Sequence, residues 1–130
     1  MEISKKTSNI IVILFIVVLL LISYLRGCHN TKTIKEDTKI ENGLIFNYHL
    51  EYGGFKRIKY EFNYNNKHFE NDELLNGDWV NASSLVNKWF PVVFSVKSPE
   101  NNEMLITPDD FAKYNIPFPD SLEWVKQYVK

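Results

Sequence analysis

From Thr7 to Leu25 the chain carries no charged side chain for nineteen residues, and Ile10 to Ile22 within that run is an unbroken series of Ile, Val, Leu and Phe. A helix rising about 1.5 Å per residue covers roughly 28 Å over this stretch, close to the roughly 30 Å of a bilayer's hydrocarbon core. The central apolar residues together favour insertion by on the order of 4 to 8 kcal/mol. The pattern predicts a membrane anchor over residues 1–28 with its apolar span at 7–25, which makes the lipid bilayer the first expected partner.

Two other readings stay open. A cleavable signal peptide usually has an apolar region of roughly 7 to 15 residues and a small-residue cleavage site, whereas this run is longer and ends in Tyr24-Leu25-Arg26. Leu25-Arg26-Gly27-Cys28 resembles the lipobox at which bacterial lipoproteins are cut and acylated on cysteine. Leu25, Gly27 and Cys28 match it, and Arg26 stands where a small residue belongs. Cys28 is the only cysteine, so no disulfide forms within the chain, and its roles in view are lipid acceptor and plain thiol at the membrane edge, with an interchain disulfide near the bilayer surface as a third. Lys5 and Lys6 outweigh Arg26 close to the span and favour an N-terminus inside the cell. A wider count that adds Lys32, Lys35 and Lys39 favours the reverse. With so short an N-terminal tail, the expectation is a single-pass protein with an extracytoplasmic C-terminal domain.

Of the 3 Trp, 7 Tyr and 9 Phe, only Phe15 and Tyr24 precede Cys28. The remainder of the chain is far richer in aromatic residues than disordered segments are, and it is long enough for one small domain with its own core. Its charge balance is −3 once Glu2, Lys5, Lys6 and Arg26 are set aside, and no basic run is present, which argues against nucleic acid as a partner. Residues 29–41 are polar, alternate in charge and read as a tether. Residues 42–130 read as the domain.

Strict alternation dominates the start of that domain. Leu44, Phe46, Tyr48, Leu50 and Tyr52 take every second position, as do Ile58, Tyr60, Phe62 and Tyr64 after Gly53-Gly54. This is the signature of two amphipathic strands. A two-residue loop at the glycines would oppose Leu50 to Arg57 and mix the faces. An odd-numbered loop opposes Leu50 to Ile58, Tyr48 to Tyr60, Phe46 to Phe62 and Glu51 to Arg57, and is therefore expected. Asn65-Asn66 suits a two-residue type I′ turn that returns the chain with Phe69 facing Phe62. Phe90 to Val96 reads as a strand apolar on both faces, with Pro91 marking an edge or irregularity. Residues 97–103 form a turn, and Met104-Leu105-Ile106 a short closing strand.

Helical signals come last. Thr107-Pro108-Asp109-Asp110 combines an N-cap, a proline at the first helical position and acidic residues in the first turn, predicting a helix to about Tyr114. Ile116-Pro117-Phe118-Pro119 interrupts, and Asp120 with Glu123 opens a second helix to about Val129, with Leu122, Val125 and Val129 inward. The expected fold class is mainly β (α+β): an N-terminal transmembrane helix, then a small bent antiparallel sheet or partly open barrel of about five strands, with one or two short C-terminal helices.

Residues 60–69 (Tyr-Glu-Phe-Asn-Tyr-Asn-Asn-Lys-His-Phe), 90–95 (Phe-Pro-Val-Val-Phe-Ser) and 98–101 (Ser-Pro-Glu-Asn) resemble small membrane-anchored proteins of flavobacterial type. In that group an aromatic hairpin with an Asn-Gly-Lys-like turn precedes a Pro-Val-Ile-Tyr-like strand and an Asn-Pro-Glu-Asn-like turn. Asn66 replaces the glycine here and Ser98 the asparagine. The resemblance covers about half of the domain and implies a bacterial, envelope-associated β module. It brings no activity with it.

Candidate chemistry is sparse. His49 and His68 fall on one polar sheet face, but the register above sets them opposite Lys59 and Asn63, roughly 13 Å apart, too far to share a zinc ion whose ligands lie about 2 Å away. His29 beside Cys28 is a weak metal signal. Asp109 with Asp110, and Asp120 with Glu123, sit where helix starts favour carboxylates. No phosphate loop, His-Glu-x-x-His helix or Gly-x-Ser-x-Gly elbow occurs. Trp79, Trp89 and Trp124 divide between core and surface, with at least two expected inside. The expectation is a non-catalytic module, with no catalytic, cofactor or metal residues, that binds a protein or envelope component near the bilayer. The alternatives are a lipoprotein acylated at Cys28, serving toxin immunity or envelope maintenance, and an enzyme of unfamiliar type.

Overall fold

The computed structural model describes residues 5–130, with side chains for 12–26 and 34–130. The chain forms two compact units, Met1–Thr33 and Ile34–Lys130. A helix, α1 (Lys5–Glu36), accounts for the first and ends in the second. Its large apolar side chains from Val12 to Leu25 are exposed. Among the described residues no helix is long and apolar enough to cross a membrane. The segment described with side chains, Val12–Arg26, covers roughly 22 Å of helix, short of the roughly 30 Å a bilayer core requires. Thr7–Ile11 of the expected span lies outside it, so the transmembrane helix read from the sequence finds no support in the fold.

The second unit is built on five antiparallel strands: β1 (Thr38–Leu50), β2 (Lys56–Tyr64), β3 (Lys67–Leu74), β4 (Trp89–Ser95) and β5 (Asn102–Met104). Their spatial order is β3-β2-β1-β4-β5. Strand β1 gives its C-terminal half to β2 and its N-terminal half to β4, and Leu44 pairs with both Glu61 and Trp89. This diagonal sharing curls the sheet until its edge strands face each other, and the Met104 N–H of β5 donates to Glu73 Oε2 of β3 at 3.1 Å. A bent antiparallel sheet of five strands, curled into a half-barrel, is the architecture the alternation predicts.

The concave face is filled by Ile45, Ile58, Tyr60, Phe62, Phe90, Val92 and Phe94, all fully buried. Phe62 stacks on Phe69 across the hairpin, with ring centroids 5.3 Å apart, and lies 5.2 Å from the Phe94 ring. The curl leaves no room for a side chain at position 43. A Cβ built on Gly43 would stand 2.5 Å from Val92 Cγ2 and 3.2 Å from the Glu61 carbonyl oxygen. Phe111, Leu122 and Val125 join the same core from the C-terminal segment.

Most turn chemistry follows expectation. Asn65 and Asn66 both adopt positive φ, 49° and 58°, in the two-residue turn between β2 and β3, and Phe62 pairs with Phe69. The loop between β1 and β2 is odd-numbered: Glu51 N–H donates to Phe55 O at 2.7 Å around Tyr52-Gly53-Gly54. Register is two residues away from expectation, since Leu50 opposes Lys56 and Tyr48 opposes Ile58. A bulge between Ile45 and Asn47 accounts for the rest. The extra residue reverses the faces, so Ile45 is buried in place of Leu44, and Phe46 turns toward solvent.

Three further differences have physical causes. Thr38 to Glu41, read as the end of the tether, are paired strand residues opposite Ser95 to Val92. They sit at the rim, where Ile40 is exposed and the Lys39 ammonium lies over the Tyr64 ring, so backbone pairing holds them without an apolar alternation to reveal it. Pro91 lies within an inner strand, yet its carbonyl accepts Leu105 N–H just beyond the end of β5. Its missing N–H points to that same side, beyond the last residue of β5 and away from the ladder with β1. Finally, α2 (Pro108–Lys113) forms as expected with a Thr107–Asp110 capping box, whereas Asp120–Tyr128 winds as a 3₁₀ segment rather than an α-helix. Its C-terminal end is tied down by Val80 N–H to Tyr128 O and Lys130 N–H to Asp78 O.

Candidate functional site

The open seam between β3 and β5 gathers most of the interior polar chemistry. Tyr60 projects from β2 into the core, and its hydroxyl donates to Asn102 Oδ1 at 2.8 Å. Asn71 Nδ2 on β3 donates to the same oxygen at 3.0 Å, and Asn102 Nδ2 donates to the carbonyls of Pro99 and Glu100. Asn102 thus links three strands and fixes the turn before β5. Glu73 lies beside this network, 3.4 Å from the Tyr60 hydroxyl. Withdrawal from water pushes its carboxyl up to about 8, against the opposing effect of the Met104 N–H, with the charges of Glu103 and Asp110 adding to the rise. Burial, then the Glu73 charge, raises the Tyr60 phenol well above its ordinary value.

Next to the seam, a groove of about 620 Å³ runs between α2 and the 3₁₀ segment, lined by Glu103, Asp110, Lys113, Lys126 and Lys130 around Val125 and Val129. Several of its charged groups are engaged. Lys113 Nζ donates to both oxygens of Glu103, at 2.9 and 2.6 Å, and the Tyr114 hydroxyl donates to Glu103 Oε2. Burial and that contact raise the Tyr114 phenol. Asp110 Oδ2 accepts the N–H groups of Ile106 and Thr107. Glu123 pairs with Lys126 at 2.7 Å in the first turns of the 3₁₀ segment. Of the four carboxylates at the predicted helix starts, Asp110 thus caps α2 and Glu123 is an ion-pair partner.

The convex face of the hairpin is polar. Arg57 bridges Glu51 at 2.8 Å and Asp72 at 2.6 Å. His49 pairs in register with Arg57, and His68 with Asn63. The two histidines are separated by six positions along β2, roughly 20 Å, which is further than the expected register placed them. His68 does find neighbours that spacing alone concealed. Glu61 and Glu70 stand directly opposite each other on β2 and β3, and His68 Nε2 lies 3.5 Å from Glu61 Oε2 and 3.2 Å from Glu70 Oε1. Alternation two residues to either side of the Asn-Asn turn was the signal that puts these three side chains on one face.

Of the three tryptophans, Trp79 is buried with its indole N–H donated to Asn76 O, Trp124 is half-buried against Phe90 and Tyr128, and Trp89 is exposed. Leu50, Tyr52 and Phe55 form an exposed apolar tip at the first hairpin. The side chains of Cys28 and His29 lie outside the described residues, so the lipidation and membrane-edge metal readings have no geometry attached to them. No protein-family model, curated protein or solved structure matches this chain.

Proposed function

We propose that this chain is a single-pass, membrane-anchored β module that acts without catalysis, binding a protein or envelope component close to the bilayer on the extracytoplasmic side. The observation that carries the reading is the uncharged apolar run from Thr7 to Leu25, of which the large side chains from Val12 to Leu25 are exposed. A continuous apolar surface of this kind is stable in lipid and costly in water. The domain that follows it supports a binding role, since its exposed tip of Leu50, Tyr52 and Phe55 offers apolar contact area, while Asp110 and Glu103 of the groove are engaged in a cap and an ion pair. Alkaline washing of membranes from expressing cells tests the anchor. Retention of the intact polypeptide in the pellet is expected, and its release into the supernatant overturns the proposal.

The Leu25-Arg26-Gly27-Cys28 match favours a second reading, a lipoprotein cut before Cys28 and held by acyl chains. Intact-mass measurement separates the two, because only the lipoprotein lacks the first 27 residues and gains lipid mass that Cys28→Ala abolishes.

A further inference from the structure

We propose that Glu61, His68 and Glu70 form a binding site for a divalent first-row transition metal, with zinc the best fit. One ligand atom from each residue lies within 4.8 Å of the other two. Two edges, 3.2 Å from His68 Nε2 to Glu70 Oε1 and 3.5 Å to Glu61 Oε2, bracket the roughly 3.3 to 3.5 Å that separates ligand atoms around a tetrahedral zinc with bonds of about 2.0 to 2.2 Å.

Two independent features point to a cation at the centre. Glu61 and Glu70 are a directly opposed cross-strand pair, an arrangement in which like charges repel unless something positive lies between them. His68 Nδ1 is 3.2 Å from Asn63 Oδ1 and can donate its N–H there, which leaves Nε2, set against both carboxylates, as the nitrogen available to a metal. Three electron-rich atoms then converge on one point. A proton on Nε2 offsets only one of the two negative charges, whereas a dication offsets both.

Asn63 supplies the outer-shell contact that zinc-bound imidazoles usually have. One nitrogen with two carboxylates suits zinc and its neighbours in the first transition row better than calcium or magnesium, which prefer oxygen alone. The ligands are preorganised, since all three project from the β2–β3 ladder within a few residues of the tight Asn65-Asn66 turn. Glu70 and His68 are substantially exposed, leaving a fourth position for water or for a donor from a binding partner.

The test uses the full chain in detergent, stripped with EDTA and titrated with zinc chloride by calorimetry, then with cobalt(II) followed by visible absorption. One metal per chain with micromolar affinity and the absorption of a tetrahedral cobalt site is expected. His68→Gln and Glu70→Gln should each weaken zinc binding by about 100-fold, and Asn63→Ala by about tenfold, with unchanged far-ultraviolet circular dichroism. His29→Gln and His49→Gln should leave the affinity alone. Failure of the folded chain to bind either metal overturns the proposal, as does binding that survives His68→Gln or disappears in His29→Gln.

Discussion

The carboxylate of Glu73 and the backbone amide of Met104 meet at 3.1 Å across the seam where the sheet stops short of closing. No strand–strand ladder joins β3 to β5, so a side chain from one edge takes the place of a backbone acceptor for the other. The position is costly for a charge. Burial raises the Glu73 carboxyl from the usual 4.5 to about 8, so the folded protein holds a proton there that the unfolded chain releases. Between these values the native state binds more protons than the unfolded state, and stability must fall as pH rises from about 4.5 to about 8, then level off. Glu73→Gln keeps an acceptor for Met104 and removes the charge. The variant should lose this slope and, above pH 8, exceed the parent in stability by on the order of 1 to 3 kcal/mol. Urea unfolding of both proteins across this range measures it, and parallel pH profiles would show that Glu73 ionises freely in the fold.

At Gly43, β1 passes close against the packed interior. An added methyl meets Val92 Cγ2 at 2.5 Å and the Glu61 carbonyl oxygen at 3.2 Å, and only the first of these can yield. Gly43→Ala should destabilise the domain by about 1 to 3 kcal/mol. Combining it with Val92→Ala removes the nearer clash, so the double variant should be more stable than the sum of the single effects predicts. Thermal denaturation of the four proteins of this cycle gives the coupling. Strict additivity would mean that the contacts with Met104 Cε at 3.0 Å and the Glu61 carbonyl, and not Val92, set the limit.

Period-two alternation made β2 and the hairpin after it legible, because Ile58, Tyr60 and Phe62 sit on a regular strand with one face in the core. Capping chemistry made α2 equally plain, down to Thr107 and Asp110. The same alternation misled in β1, since a bulge at Phe46 leaves no mark in a run where Leu44, Ile45 and Phe46 are all apolar. Thr38 to Glu41 were hidden for the opposite reason: their place in the sheet rests on backbone hydrogen bonds to β4, while their side chains are those of a solvated linker. The Glu61–His68–Glu70 grouping was half visible. His68 opposite Asn63 follows from the turn, but the meaning of Glu61 and Glu70 emerges only when their distances to His68 are known.

The turn from β2 to β3 places Asn65 at φ 49° and Asn66 at φ 58°, the left-handed region that both central residues of a type I′ turn must occupy. Asparagine tolerates this region better than other side-chain-bearing residues, and glycine better still. Asn66→Gly removes the remaining Cβ strain at a solvent-exposed position without touching Phe62, Phe69 or the polar face. It should raise stability by about 0.5 kcal/mol, the strain relief being partly offset by the greater freedom of glycine in the unfolded chain. Asn66→Ala should lower stability by about 1 kcal/mol, because alanine keeps the Cβ and lacks the local hydrogen bonding that lets asparagine rest there. The ordering glycine, asparagine, alanine in chemical denaturation is the expected result. An alanine variant as stable as the parent would indicate that the turn relaxes to another type and shifts the register on which the pairing of Glu61 with Glu70 depends.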